Sequence, residues 1–387
     1  MKTGVMLVGI NGVNASVLIS GCLAMQLKEV PKQYGITESD FFRQLSLIDV
    51  DDMVFGGWDY YTVNQYALLK EYGIAKFVPS KNLEMKLAEI QPMKGVHTSK
   101  DIVVQDRFDN FLTPGNIKEG VDIVKNDIQN FKTYHSLDIV IVIYLGSPSK
   151  KINDDIKGFA FNEILEQEIC KIPSGLLYAI ASITTGAHFI DFTPSETLEF
   201  GFLNSLSETH SVQLSGRDGS TGQTMLKLTL ANMLLIRNLR LKAWYSTNII
   251  GNHDGYILSN PEYNETKIKD KKYGLEYLLG YNDFEHKVTI DFFKARFDSK
   301  ESWDSVDFSG WLNTPMCMKI NWQGEDAILS APLLLDIIRL IAFGATRGLR
   351  GFQKQLGLFY KHPFGCEGMS LESMYKSMLQ FYLSLEG

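Results

Sequence analysis

Residues 139–144 read IVIVIY, five β-branched residues and a tyrosine, and the run breaks at once into the small-residue turn LGSPS. A stretch with no apolar–polar alternation leaves no wet face, so it reads as a parallel strand buried on both sides. Parallel neighbours need a crossover, usually a helix, between them. The same design recurs along the chain. Val5 to Val8 gives way to GINGVNAS and then a helix with Val17, Leu18, Cys22, Leu23 and Met25 on its buried side. A second run, MVFGGWDYY, ends in Gly56 and Gly57; AHFIDFTPSET and VQLSGRDGSTGQT repeat the design, the latter before a helix over Met225 to Asn238. Strands that each end in Gly, Ser, Thr, Asp or Pro and feed a helix predict an α/β, Rossmann-like domain, with ligands gathered at the carboxyl ends of its sheet.

After Leu241 the pattern changes. KAWYSTNIIG, HKVTIDFFKARF and MCMKINWQG alternate apolar and polar residues, as half-buried antiparallel strands do. The expected organisation is therefore a Rossmann-like domain over 1–240, an inserted α+β domain over 241–330, and helices over 331–387 that return to the first domain. With 387 residues, 45% hydrophobic and 21% charged, the chain is long enough for two such domains. Its net charge of -7 argues against general nucleic-acid binding, which needs a basic excess. The four cysteines lie far apart with no CxxC pair, which fits buried thiols in a reducing cytoplasm. MKTGVMLVGINGVNAS reads as a first strand because its apolar run is too short for a signal peptide. PLLLDIIRLIAFGA carries Asp336 and Arg339 and reads as a buried helix with no membrane partner.

GINGVNAS places Gly9 at the tight turn and Gly12 at the helix start, where amides face a pyrophosphate. Asn11 and Asn14 replace two glycines of GxGxxG, so a dinucleotide turn and a plain strand–helix turn both stay open. SGRDGSTGQT (Ser215 to Thr224) fails as a triphosphate loop: Gly216 to Gly222 encloses five residues instead of four, and Gln223 replaces the lysine. It remains a nest of backbone donors in which Asp218 either works on a ligand or caps a turn. Lys267 and Lys271, four apart, share a helix face and repel unless an anion lies between them. Lys361, among the apolar residues of LGLFYKHPF, either snorkels or is desolvated enough to trade protons. The seven histidines form no HExxH, no nucleophile elbow is present, and a structural zinc site lacks its ligands.

In order along the chain, VGINGVNAS, VFGGWDYY, DFTPSET, SGRDGSTGQTMLK, WYSTNIIGNHDGYILS, NETKIKDK, DSKESWD, EDAILSAPLLLDI and LFYKHP together resemble the myo-inositol-1-phosphate synthase family, particularly its short prokaryotic and archaeal form. The likeness covers nearly the whole chain. It implies NAD on the Rossmann-like domain, a second domain that builds a homotetramer, and closure of glucose 6-phosphate into an inositol phosphate. In that chemistry NAD first oxidises C5, the acidified C6 loses a proton, the enolate attacks the C1 aldehyde, and C5 is reduced again. The resemblance makes Lys267 the proton carrier at the C5 oxygen and Lys361 the helper at the aldehyde oxygen. Lys271 and Lys300 become the phosphate and oxyanion clamp, and Asp218 positions this group and the nicotinamide end. Gly9, Ile10, Asn11, Gly12, Asp59, Gly146, Ser147, Thr193 and Thr221 match cofactor-binding positions. Asn252, Asp254, Asp298 and Asp326 line the cofactor or an associated cation, divalent or monovalent.

Three departures bear on the substrate. Ser220 stands where the family usually has a lysine, YLGSPS replaces a segment close to ASTE, and DFTPSET follows the archaeal form. Besides the synthase, two readings stay open: a paralogue that closes another sugar phosphate, such as fructose 6-phosphate, to a cyclopentane cyclitol, and a non-catalytic NAD or sugar-phosphate sensor. Keeping Lys267, Lys271, Lys300 and Lys361 together speaks against the sensor.

Overall fold

The structure, a computed structural model, describes residues 1–71, 80–101, 108–146, 149–251, 255–256, 275–276, 278–366 and 369–385. The chain forms two compact units, Met1–Gly219 with Ala331–Leu356, and Ser220–Ser330 with Gly357–Gly387. The division thus falls at Gly219, earlier than the expected residue 240. Only 331–356 returns to the first unit; 357–387, expected there too, belongs to the second.

The first unit holds an eight-stranded sheet in the order β12-β7-β6-β5-β1-β2-β3-β4, with every adjacent pair parallel. These strands are β1 (Thr3–Val8), β2 (Met53–Asp59), β3 (Met93–Val96), β4 (Phe111–Leu112), β5 (Ile139–Tyr144), β6 (His188–Asp191), β7 (Gln213–Ser215) and β12 (Gly351–Phe352). β1 lies between β2 and β5, in register from Thr3 opposite Met53 and Ile139 to Val8 opposite Trp58 and Tyr144. All six residues of β1 are buried, as an apolar run without alternation requires. β2 continues through Gly56 and Gly57, expected as its end, and position 56 is glycine because a side chain there would strike the ring of Phe131.

Helices α1 (Val13–Gln26), α2 (Gln65–Glu71), α3 (Lys81–Glu89), α4 (Ile117–His135), α5 (Asp154–Lys157), α6 (Phe161–Leu165), α7 (Ser174–Thr184) and α8 (Phe202–Thr209) belong to the first unit. α9 (Gln223–Ile236) and α11 (Leu371–Ser384) belong to the second, and α10 (Asp326–Thr346) begins in it. α10 is long and apolar enough to cross a membrane by length and composition, yet 72% of that stretch is buried in the protein. Beyond Asp326 at its start, its two interior charges are both engaged by the segment 34–48. Asp336 accepts the amides of Gly35 (3.2 Å), Ile36 (2.6 Å) and Thr37 (3.2 Å) and the Thr37 hydroxyl (2.5 Å). Arg339 donates to the Ile48 carbonyl (2.9 Å) and the Thr37 hydroxyl and lies over the Tyr34 ring.

The second unit holds β8 (Arg240–Ile250), β9 (Glu285–Phe292), β10 (Ser299–Ser309) and β11 (Pro315–Glu325) in the order β11-β10-β8-β9. β10 runs antiparallel to both neighbours, but β8 and β9 are parallel, against the antiparallel expectation. Ala231 and Leu234 of α9 join Leu241, Trp244, Val306 and Phe308 in one apolar core. That packing places α9 with the second sheet and sets the division before it. Of the cysteines, Cys22 and Cys366 are buried as expected, whereas Cys170 and Cys317 are exposed.

Replacing Asp336 with alanine strands three amides and a hydroxyl in the interior beside an arginine. Asp336→Ala is expected to destabilise the protein by about 3–5 kcal/mol. Urea unfolding followed by circular dichroism measures it, and an unchanged midpoint contradicts this account of α10.

Candidate active site

In the first unit the turn after β1 is tied down before any ligand arrives. The amides of Gly9 (2.8 Å) and Ile10 (3.1 Å) both donate to the Trp58 carbonyl, and Gly12 donates to Gly9 (2.9 Å). Gly9 has φ +84, and a side chain there would meet Leu145 O at 3.1 Å and Gly146 at 3.3 Å, so only glycine fits. Gly12 is the N-cap of α1; no side chain caps that helix, and its first turn carries no acidic residue. A helix start without a side-chain cap or an acidic first turn suits an anion.

Asn11, in the place of the missing middle glycine, is buried and useful in another way. Its amide donates to Asp59 Oδ2 (2.8 Å) and its side chain to the Tyr61 carbonyl (2.8 Å). Tyr60 N donates to Asp59 Oδ1 (2.8 Å), and the Gln65 side chain donates to the Ile10 carbonyl (3.1 Å). The carboxylate at the end of β2 is thus locked to the turn after β1. Burial pushes its carboxyl up to about 6, against the downward pull of those amides. A buried carboxylate at the end of the second strand is the kind of acceptor that suits a ribose hydroxyl. A bent glycine cradle, uncapped helix amides and an acceptor at the end of β2 fit a dinucleotide.

At the ends of β6 and β7, Asp191 Oδ1 accepts the amide (2.9 Å) and hydroxyl (2.7 Å) of Thr193. Asp218 N donates back to the Thr193 carbonyl (2.9 Å), bringing these two expected site residues together. Asp218 is buried and has φ +58, a left-handed backbone that aspartate tolerates better than most side chains. The loop's own cation is already engaged: Arg217 donates to Pro194 O (3.0 Å) and pairs with Glu199. Lys157 joins Glu199 (2.7 Å), Glu196 (3.0 Å) and Asp154 (3.2 Å) in the same network.

In the second unit the Thr221 hydroxyl donates to Asp326 Oδ1 (3.1 Å), and Lys300 Nζ lies 3.6 Å from the same oxygen. Asp298, fully buried, accepts the Ala327 amide (3.0 Å) at the start of α10, so it stands behind Asp326 as a cap. Ser220 N donates to the Phe359 carbonyl (2.8 Å), which ties the loop to the segment that carries Lys361. Lys361 itself is half-buried. Lys267, Lys271, Ser147, Asn252 and Asp254 lie outside the described residues, and so does the cation position expected beside the last two. Among the described residues no group of three or more His, Cys, Asp or Glu side chains could hold a metal ion.

Sequence reasoning missed a buried polar network under α9. Asp304 accepts from Gln223 Nε2 (3.1 Å), Trp244 Nε1 (2.7 Å), Ser302 Oγ (3.2 Å) and the Ser246 hydroxyl. Lys227 Nζ lies 3.2 Å from His286 Nε2 and over the Trp244 ring, and burial pushes its ammonium down to about 8. The spacing Gln223, Lys227, Ala231, Leu234 placed that lysine on the buried face of the helix and was the signal to follow. Asp191 was missed too, hidden in a strand end that reads as apolar.

Asp191 is fully buried, and burial pushes its carboxyl from 3.8 up to about 7, with the Asp218 charge adding to the rise. Between those values the folded protein holds a proton that the unfolded chain releases, so stability falls as pH rises through that window. Asp191→Asn keeps the acceptor for Thr193 and removes the slope. Thermal unfolding at pH 4, 6 and 8 should show the variant matching the parent at pH 4 and exceeding it at pH 8. A gap that does not change with pH contradicts the assignment.

Residues 3–378 match the sequence profile of the family described as myo-inositol-1-phosphate synthase. The chain is 29% identical over 391 residues to inositol-3-phosphate synthase 1 of Bacteroides thetaiotaomicron, covering 94% of this chain and 89% of that protein. In fold it is similar to the crystal structure of inositol-3-phosphate synthase from Caenorhabditis elegans, with TM-score 0.86, 23% identity and coverage of 100% and 86%. It is also similar to a myo-inositol-1-phosphate synthase-related protein from Thermotoga maritima, with TM-score 0.79, 19% identity and 98% of each chain covered.

Proposed function

This chain belongs to the myo-inositol-1-phosphate synthase family, and from that premise we propose that it closes glucose 6-phosphate to 1L-myo-inositol 1-phosphate as an NAD-dependent isomerase. The observation that carries this reading is the Thr221–Asp326–Lys300 cluster. The cluster holds the Lys300 ammonium at a fixed place, as suits a ring closure that passes through alkoxide and enolate. The Lys300 side chain is 17% exposed, so its charge acts in a partly desolvated setting where it counts for more than in water. Asp326 holds that ammonium while Thr221 orients the carboxylate, which leaves little to reorganise as negative charge develops on a substrate oxygen.

Lys361 takes the aldehyde oxygen during ring closure, and Lys271 shares the phosphate and oxyanion clamp with Lys300. Lys267 carries the proton at the C5 oxygen, and Asp218 positions the reacting group. Held by the turn of Gly9, Ile10, Asn11 and Gly12, by Asp59 and by the segments of Gly146 and Thr193, NAD supplies a reversible hydride exchange with no net redox change. We place the activity in the cytoplasm, where widely spaced cysteines stay reduced.

Incubation of the pure protein with NAD and glucose 6-phosphate, with products identified by NMR, tests the reading. Inositol 1-phosphate without net NADH is expected. A cyclitol from fructose 6-phosphate alone would instead favour the paralogue, and stoichiometric NADH a dehydrogenase. Lys361→Ala should lower turnover by about 100-fold, the cost of one missing oxyanion partner, while NAD affinity stays unchanged. Collapse of NAD affinity in that variant refutes the placement of Lys361.

We also propose a homotetramer built through the second sheet. Trp303 and Tyr245 are exposed on neighbouring strands, β10 and β8, on the face opposite the α9 core. Large aromatic residues on an open sheet face are characteristic of a surface covered by a partner. Light scattering should give four chains for the parent and fewer for Trp303→Asp; an unchanged mass in the variant removes Trp303 from the interface.

A further inference from the structure

Ser220 is 7% exposed, and its hydroxyl has no hydrogen-bond partner among the described residues. Buried hydroxyls are almost always paired, because leaving one unpaired forfeits its water without return. This one cannot easily turn elsewhere. Its own amide is held by the Phe359 carbonyl at 2.8 Å, and the next residue, Thr221, is bonded to Asp326. Gly222 then turns with φ +47 against the Trp322 ring, where a side chain would come within 2.7 Å. The backbone on both sides is fixed, so the hydroxyl moves only by rotation about its own Cα–Cβ bond.

The company it keeps is charged. Lys300 shares the Asp326 oxygen with Thr221, and Lys361 follows Phe359 by two residues. Ammonium groups are the natural partners of a phosphate dianion. A single neutral hydroxyl matches an uncharged oxygen, to which it can donate or from which it can accept. We propose that Ser220 Oγ hydrogen-bonds directly to an uncharged oxygen of the sugar, a hydroxyl or carbonyl, and is a specificity-determining residue of the reaction. This rests on the reading of the protein as a sugar-phosphate cyclase.

Ser220→Ala removes one atom and adds nothing, which separates a ligand contact from a structural one. With no internal bond to lose, the free variant should melt at the same temperature as the parent or higher. Calorimetric titration with glucose 6-phosphate, at saturating NAD, should show roughly tenfold weaker binding, the scale of one lost hydrogen bond that leaves its partner unpaired. NAD affinity measured alone should not move. A lower melting temperature with unchanged sugar affinity makes Ser220 structural and overturns the proposal. A loss confined to NAD overturns it also, by giving the hydroxyl to the cofactor. If the parent ignores glucose 6-phosphate but binds fructose 6-phosphate, the substrate reading fails, and the same comparison on that sugar still decides the role of Ser220. Binding of neither sugar overturns both.

Discussion

Burial of both faces of the central β1–β5 pair is the constraint from which the rest of the first unit follows. All six residues of β1 are buried, and β5 is buried from Val140 to Tyr144. Such strands can carry no working polar group along their length, because an unpaired one has no water to turn to. Chemistry is therefore pushed to the carboxyl ends. Gly9, Asp59, Asp191, Thr193 and Asp218 all lie at or just beyond strand ends, and each carboxylate there has its environment shaped by burial. Asp59 has both oxygens on backbone amides; Asp191 has one oxygen committed to Thr193. One architectural requirement thus produces the cradle and also the raised carboxyls around it.

What was legible in the sequence is what local pattern controls. The unbroken run of Ile139 to Tyr144 predicts its strand, and glycine-rich turns predict the junctions after Val8 and Ser215. Legibility fails where distant residues decide. β10 carries Lys300, Glu301, Asp304 and Asp307, which look like a solvated stretch, yet Ser302, Asp304, Val306 and Phe308 are buried beneath α9. β8 and β9 alternate correctly for strands, but alternation is silent about direction. The division between the units falls inside SGRDGSTGQT, where nothing in composition changes. It is set by Ala231 and Leu234 of α9 packing on Trp244 and Phe308. Of the expected site residues, Thr221, Asp326 and Lys300 meet in one cluster and Thr193 and Asp218 in another; the reason Asn11 replaces a glycine became visible only with its bonds to Asp59 and Tyr61.

The glycine-rich loop illustrates how charge is distributed in such a fold. Its one cation, Arg217, is bound to Pro194 and Glu199 and so serves the loop's own shape. Any other cation near the loop must then come from another segment. Lys300 arrives from β10, eighty positions later in the chain than Ser220, and is held by Asp326 at the start of α10. A loop built this way can keep its backbone while the character of a single side chain changes, because the charges are supplied by elements with their own supports. That independence is why a neutral residue at 220 is compatible with retention of the lysines.

Lys227 shows the opposite case, a cation that lies deep in the second unit and outside every residue with an expected chemical role. Its ammonium is desolvated, close to His286 and the Trp244 ring, and within the field of Asp304. Asp304 in turn binds Gln223 at the first turn of α9, Trp244 and Ser246 on β8, and Ser302 on its own strand. The carboxylate therefore fixes the start of α9 to both strands, and Thr221 lies two residues before Gln223. Movement of that helix start would shift Thr221 away from Asp326 and loosen Lys300. A buried charge pair is costly to desolvate and stabilises little in net terms. Such a pair makes physical sense where it fixes geometry, and here the helix it fixes begins two residues after Thr221, which bonds Asp326.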